Sequence, residues 1–135
     1  MQIEDLNDLL RHYSSCWIAE YKIPEHRLVL EFHADGGWFE VSPLYLSFDG
    51  PIVVNLARGF FFPVRLRIAT DDEVLRLVPA LGIELDDEGR PWPGYKCYVF
   101  LKDGQDTGFY VYAWSIDVHG YPGWWKPGLD EPEGP

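Results

Sequence analysis

Several segments of the chain alternate apolar and polar side chains, the pattern of β-strands that bury one face. In segment 28–34 every second residue from Leu28 onward is apolar, which would leave Glu31 and His33 on the opposite face. Further strands are predicted for segments 17–23, 44–48, 52–56, 62–68, 95–101 and 109–118. Such repeated alternation favours a fold built on antiparallel strands around a core.

Two segments have instead the three-and-four spacing of an amphipathic helix. The first, residues 4–13, would form one apolar stripe and is expected to lie on a sheet. The second begins at Thr70 with Glu73 three residues later, the form of a capping box, and continues in apolar spacing to Leu81. Because proline has no amide hydrogen, Pro79 is expected to kink or end this helix.

The last two strands are predicted to form a hairpin through Asp103-Gly104 and Gly108. Both of its faces carry large side chains, so we expect it to be central, with its second face covered by the C-terminal tail or by a partner. Residues 1–120 are predicted to be one domain, and residues 121–135 an acidic tail rich in proline and glycine. Trp124 and Trp125 would hold the first half of that tail against the domain.

These segments together predict an α+β fold with a single, mainly antiparallel, twisted sheet of about six strands and two short helices on one face. An all-β fold is the alternative if the first helix is marginal.

The charge of the chain restricts its partners. The formal net charge is -11, yet 47% of the residues are hydrophobic, enough to form a core. Such an excess of acids repels nucleic acids and anionic membranes, so neither is expected as a partner, whereas a basic protein would be attracted. No secretory leader is recognised and no apolar run approaches the ~18 residues of a membrane span, so a cytoplasmic protein is expected.

No motif for catalysis or metal binding stands out. The histidines have none of the spacings that bring zinc ligands together; they are His12, His26, His33 and His119. Cys16 and Cys97 are interpreted as reduced side chains in surroundings too acidic to activate a thiolate. The serines lack the nucleophile elbow of hydrolases, and no motif places two carboxylates across a substrate. We therefore predict no catalytic residue, no metal site and no cofactor.

The candidate binding site consists of acids and tryptophans in irregular segments. The acidic loop over residues 84–94 contains four acids followed by Trp92, and the tail adds two more indoles. Aromatic side chains surrounded by charge are typical of protein interfaces, although they also occur at the edge of a core. The predicted protein-binding residues are Asp86, Asp87, Glu88, Trp92, Trp124 and Trp125.

The order of these segments resembles small bacterial immunity proteins, which neutralise polymorphic or contact-dependent toxins. The resemblance covers residues 1–118: the short N-terminal helix, the strand at 26–34, the L-x-L-x-F strand at 44–48, the acid-capped helix and the final aromatic hairpin. It implies a non-enzymatic inhibitor that binds a basic toxin, since opposite potentials speed association.

Two other functions stay open at this point. One is a small-ligand-binding domain or enzyme, whose pocket would be lined by aromatic residues such as Trp17, Trp38, Tyr98, Tyr112 and Trp114. The other is a structural homo-oligomer that associates through the hairpin around Asp103-Gly104 or through an edge strand.

Overall fold

The computed structural model describes residues 2–22, 26–34, 43–51, 53–81, 85–91, 93–122 and 125. The elements are α1 (Ile3–Leu10), β1 (Ser15–Lys22), β2 (Arg27–His33), β3 (Leu44–Asp49), β4 (Val53–Asn55), β5 (Gly59–Phe60), β6 (Arg65–Ile68), α2 (Asp71–Leu81), β7 (Lys96–Lys102), β8 (Gln105–Ala113) and β9 (Ser115–His119). Within these ranges neither helix is long and apolar enough to cross a membrane.

The strands form two antiparallel sheets, which confirms the α+β class but not the single sheet. The five-stranded sheet has the order β5-β1-β2-β3-β9, and the four-stranded sheet has the order β4-β8-β7-β6. The prediction of one sheet of about six strands is therefore wrong.

The reason lies in segment 109–118, which was predicted as one strand and divides at Trp114. The Trp114 amide donates to the carbonyl of Asp49, 2.9 Å away, and the next residue, Ser115, pairs with Asp49 as the start of β9. Residues before Trp114 pair with β7 instead. One segment thus belongs to both sheets, and its core-facing positions change at Trp114 from Val111 and Ala113 to Ile116 and Val118.

The predicted hairpin is confirmed, with a shorter connection. Asp103 and Gly104 have φ angles of 52° and 79°, which suits a two-residue turn, and Lys102 pairs directly with Gln105. Gly108, at φ 86°, lies inside β8 where the register with β7 shifts, so its predicted place in the connection is wrong. As expected, β7 and β8 are the central strands of their sheet.

The main core lies between the two sheets. Phe48 of β3 contacts Tyr98 and Phe100 of β7, with ring centroids 5.6 and 6.4 Å apart. Helix α1 adds buried leucines at positions 6, 9 and 10. Trp125 also joins this core: its side chain is 6% exposed, and its indole N–H donates to the Asp5 carbonyl at 2.9 Å. The predicted attachment of Trp125 is thus confirmed, while Trp124 lies outside the described residues.

A second, smaller core covers the outer face of the four-stranded sheet. Val74 of α2 packs there with Cys97, Val99 and Tyr112. Helix α2 therefore packs on the second face of the hairpin, whereas the predicted cover by the tail concerns residues that lie mostly outside the described ones. Because α1 packs into the main core and α2 into this one, the helices do not share one face as predicted.

The start of α2 is the predicted capping box. The Thr70 amide donates to a Glu73 carboxylate oxygen at 2.9 Å, and the Glu73 amide donates to the Thr70 hydroxyl at 3.2 Å. The helix continues past Pro79 to Leu81, so the helix does not end at Pro79. Close to a helix end, a proline removes only one backbone hydrogen bond.

Arg67 of β6 fastens α2 to its sheet. Its guanidinium donates to both carboxylate oxygens of Glu73, at 2.8 and 2.7 Å, and to those of Asp106 on β8, at 3.2 and 2.9 Å. The hydrogen bonds from Arg67 to Glu73, with that from the Thr70 amide, lower the pKa of the Glu73 carboxyl to about 2. The contacts with both carboxylates, that with Glu73 first, raise the pKa of Arg67.

Glu73→Gln should lower the melting temperature at pH 7, because an amide in place of the carboxylate weakens both the ion pair and the cap. The folded-state pKa is depressed, so this stabilisation is complete above the ordinary value of 4.5 and is lost as the pH falls through about 2. Thermal unfolding at several pH values should show the two proteins converge in acid. Glu88→Gln is the control, since Glu88 pairs with Arg90 in the solvent; an equal effect of both substitutions would contradict this role of Glu73.

Helix α1 is tied to the free edge of β6 by one side chain. The Asn7 amide donates to the Leu66 carbonyl at 2.7 Å, and its oxygen accepts from the Leu66 amide at 2.8 Å. Asn7 thus acts as one residue of a further strand, and both backbone groups of the buried Leu66 are satisfied.

Asn7→Ala should destabilise the protein by about 2 kcal/mol, because two buried backbone groups lose their partners. Chemical denaturation gives the free energy of unfolding. Asn55→Ala is the matched control: its side chain makes one exposed hydrogen bond, to the Gly108 carbonyl. If the two substitutions cost the same, the contact with Leu66 does not hold α1 in place.

Candidate functional site

The outer face of the five-stranded sheet is covered by neither helix, although Ser47 at its centre is buried. The buried side chains of α1 lie in the main core and those of α2 on the other sheet, so neither covers this face. We call it the open face; its residues are Ser15, Trp17, Glu20, Lys22, Arg27, Val29, Glu31, His33, Tyr45, Ser47, Asp49, Ser115, Asp117 and His119.

Strand register places four of these side chains in one row. Trp17 pairs with Glu31, Glu31 with Tyr45, and Tyr45 with His119. Paired residues of antiparallel strands have side chains about 5 Å apart at Cβ, so the row is continuous across the sheet. It brings an indole, a carboxylate, a phenol and an imidazole together from separate parts of the chain.

The position of the Trp17 ring is set by its neighbours. The ring stacks on His33, with centroids 4.2 Å apart and planes at 16°. The His33 Nε2 is in turn hydrogen-bonded to a Glu31 carboxylate oxygen at 2.5 Å. Glu31 therefore orients the imidazole, and the imidazole supports the indole, which leaves Trp17 half-buried and ordered before any partner arrives.

The rest of the open face is predominantly acidic. Asp117 is exposed and lies two residues along β9 from Ser115, the residue that pairs with Asp49. Glu20 forms an ion pair with Lys22, with 3.4 Å between Oε1 and Nζ. With Glu31, these carboxylates outnumber the two basic side chains of the face, Lys22 and Arg27. The face thus combines a fixed aromatic ring with an excess of negative charge.

A cleft of about 650 Å³ opens at the edge of this face beside Trp17. It is lined by Trp17, Ile18, Arg58, Gly59 and Phe61, and the Phe61 side chain is 83% exposed. A second cleft, of about 340 Å³, lies beside Arg67 and α2 on the other sheet.

The aromatic residues predicted to line a pocket are dispersed. Tyr98 lies in the main core and Tyr112 in the second core, whereas Trp17 belongs to the open face. Trp114 is 52% exposed and lies where the chain passes from β8 to β9; its ring lies over Gly94. Trp38 lies outside the described residues.

The acidic loop predicted as a binding site is organised around Asp86. Its carboxylate accepts hydrogen bonds from the amides of Glu88 and Arg90, both at 2.9 Å. The Asp86 amide also donates to the Arg90 carbonyl at 2.8 Å. Asp86 therefore shapes the turn, whereas Asp87 and Glu88 are exposed and Glu88 pairs with Arg90 at 2.8 Å.

The structure does not bring the six predicted binding residues into one described surface. Trp125 is part of the main core, and Trp92 and Trp124 lie outside the described residues. Sequence reasoning correctly assigned Glu31 and His33 to one strand face. It did not single out Trp17, Arg58 or Phe61 as a group, because only the strand register reveals that they are neighbours.

The described residues offer limited chemistry. Burial raises the pKa of the Cys16 thiol to about 12 and that of Cys97 to about 11, so both thiols are protonated at neutral pH. No group of three or more potential metal ligands occurs among the residues that the structure describes. An imidazole hydrogen-bonded to a carboxylate, as in His33 and Glu31, also occurs in catalytic sites, but this pair is partly exposed on an open sheet face.

Comparison of the chain with protein-family models, with curated proteins and with solved structures gives no match. The functional argument therefore depends on the geometry of the chain itself.

Proposed function

We propose that this chain is a protein-binding domain whose open face binds a basic protein, in the manner of an immunity-type inhibitor of a toxin. The observation that carries the proposal is the row of Trp17, Glu31, Tyr45 and His119 on a sheet face that neither helix covers. A broad face with an ordered aromatic ring near one edge and charge beside it suits a protein partner better than a small molecule.

Electrostatics supports a basic partner. The net charge of -11 attracts cations at long range, and the carboxylates of the open face extend this preference to the contact itself. Physiological salt screens charges beyond about 8 Å, so acids within the contact matter more than the total charge. Glu20 and Asp117 lie in the row next to Trp17 and Glu31, and Asp49 lies in the row after it; there they would meet arginines or lysines of the partner.

Trp17 is the expected anchor of the contact. Tryptophan is enriched among the residues that dominate binding energy, and a ring that is already ordered loses little freedom when it binds. The stack on His33 and the hydrogen bond from His33 to Glu31 provide that order.

Binding is a better account of the face than catalysis. The pair of His33 and Glu31 could move a proton, but general acid–base chemistry gains most in a site from which water is excluded. Here both side chains are partly in solvent, at 31% and 22% exposure, on a sheet surface.

The binding test screens the products of neighbouring genes for one that is basic and binds the chain, and measures its affinity by calorimetry at increasing salt. Trp17→Ala should weaken binding by at least about 2 kcal/mol, and Asp117→Lys by about 1 kcal/mol. Affinity of the unmodified chain should fall as salt rises.

Asp87→Lys is the matched control, because it changes the net charge by the same amount at an exposed position of the loop after α2. If Asp87→Lys weakens binding and Asp117→Lys does not, the partner uses the acidic loop and the open face is not the interface. A chain that binds no basic protein and whose mass rises with concentration would favour the homo-oligomer.

A further inference from the structure

We infer that the edge cleft beside Trp17 binds the C-terminal residue of a peptide, with an apolar side chain between Trp17 and Phe61 and the terminal carboxylate on Arg58. This site goes beyond the proposed function, because it needs neither the carboxylates of the open face nor a basic partner.

Arg58 is the first reason. In a chain of net charge -11 Arg58 is exposed, and its side chain forms no ion pair or hydrogen bond among the described residues; Arg58 is also one of the residues that line a cleft with two aromatic rings. Arg67 and Arg90, by contrast, both contact carboxylates. An unpaired guanidinium beside apolar walls is complementary to a carboxylate that carries an apolar group.

The backbone of β5 is the second reason. The Ile18 amide donates to the Arg58 carbonyl at 3.1 Å, and Trp17 pairs with the next residue, Gly59. In an antiparallel pair the bonding direction alternates, so the N–H and C=O of Gly59 point away from β1. β5 is the edge strand of its sheet, and no described strand pairs with those two groups. They are available to an extended peptide.

Gly59 also keeps the cleft open. A Cβ at this position would lie 3.3 Å from the Trp17 Cβ, so any side chain here would occupy the space beside the indole. With glycine present, the side chain of a peptide residue paired with Gly59 can lie over it, against Trp17 and Phe61.

One C-terminal residue satisfies all of these features at once. Its carboxylate can accept from the Gly59 amide and from the adjacent Arg58 guanidinium, while its own side chain fills the apolar cleft. Addition of a strand at a sheet edge with capture of a terminal carboxylate is an established mode of peptide recognition.

The test uses four acetylated hexapeptides that differ only in the last residue, which is Phe, Leu, Ile or Val, each as free acid and as C-terminal amide. Tryptophan fluorescence and calorimetry of the full chain report binding. At least one free acid should bind about tenfold more tightly than its amide, because the amide lacks the charge that pairs with Arg58. Arg58→Gln should abolish that preference, and Phe61→Ala should weaken acid and amide alike.

Arg65→Gln is the matched control, since Arg65 is another exposed arginine, on β6 and outside the cleft. Asp117→Lys should leave peptide binding unchanged, which separates this site from the open-face contact. The inference is overturned if no free acid binds, if acid and amide bind equally, or if Arg65→Gln has the effect of Arg58→Gln. It is also overturned if 3-phenylpropionate binds as tightly as the peptides, since the occupant would then be a small carboxylate.

Discussion

The passage of one segment from sheet to sheet at Trp114 is the constraint on which the structure depends. The Trp114 amide is bonded to the end of β3, so β8 and β9 continue each other while they pair with different neighbours. This fixes the two sheets against one another and encloses the main core between them. Each sheet then has one outer face, and a helix covers only one of these two faces.

The outer face of the four-stranded sheet carries Cys97, Val99 and Tyr112, and exposure of these side chains to water would be costly. Helix α2 covers them, and Arg67 joins that helix to two strands of the sheet. The outer face of the five-stranded sheet carries acids, imidazoles and hydroxyls, which are stable in water without a cover. Trp17 and Val29 are the exceptions on that face, and the Trp17 ring, positioned by His33 and Glu31, is the anchor of the proposed binding function.

Local structure was predictable wherever the information is local. The capping box at Thr70, the apolar stripe of α1, the alternation in β2 and the turn at Asp103-Gly104 all depend on residues close in sequence, and all are present. The number of sheets was missed because segment 109–118 was interpreted as one strand, although its core-facing positions change at Trp114 from Val111 and Ala113 to Ile116 and Val118. The cover of the hairpin by α2 depends on long-range packing.

The candidate site shows the same limit. The sequence identified exposed acids and tryptophans in loops, but Asp86 uses its carboxylate to shape its own turn and Trp125 fills the core. Trp17 and Glu31 are separated along the chain and meet only through the register of β1 and β2. Sequence patterns are local, so they reveal runs of charged residues but not residues of separate strands that pairing brings together.

Hydroxyl-radical footprinting of the chain, free and bound to its basic partner, tests most directly whether the open face is the binding surface. Oxidation of Trp17 and Tyr45 should fall in the complex, while Leu75 on α2 and Trp114 at the passage between the sheets, both exposed in the free chain, should be oxidised as before. Protection of Leu75 and of loop 85–91 with no change at Trp17 would place the partner on the other sheet and contradict the assignment.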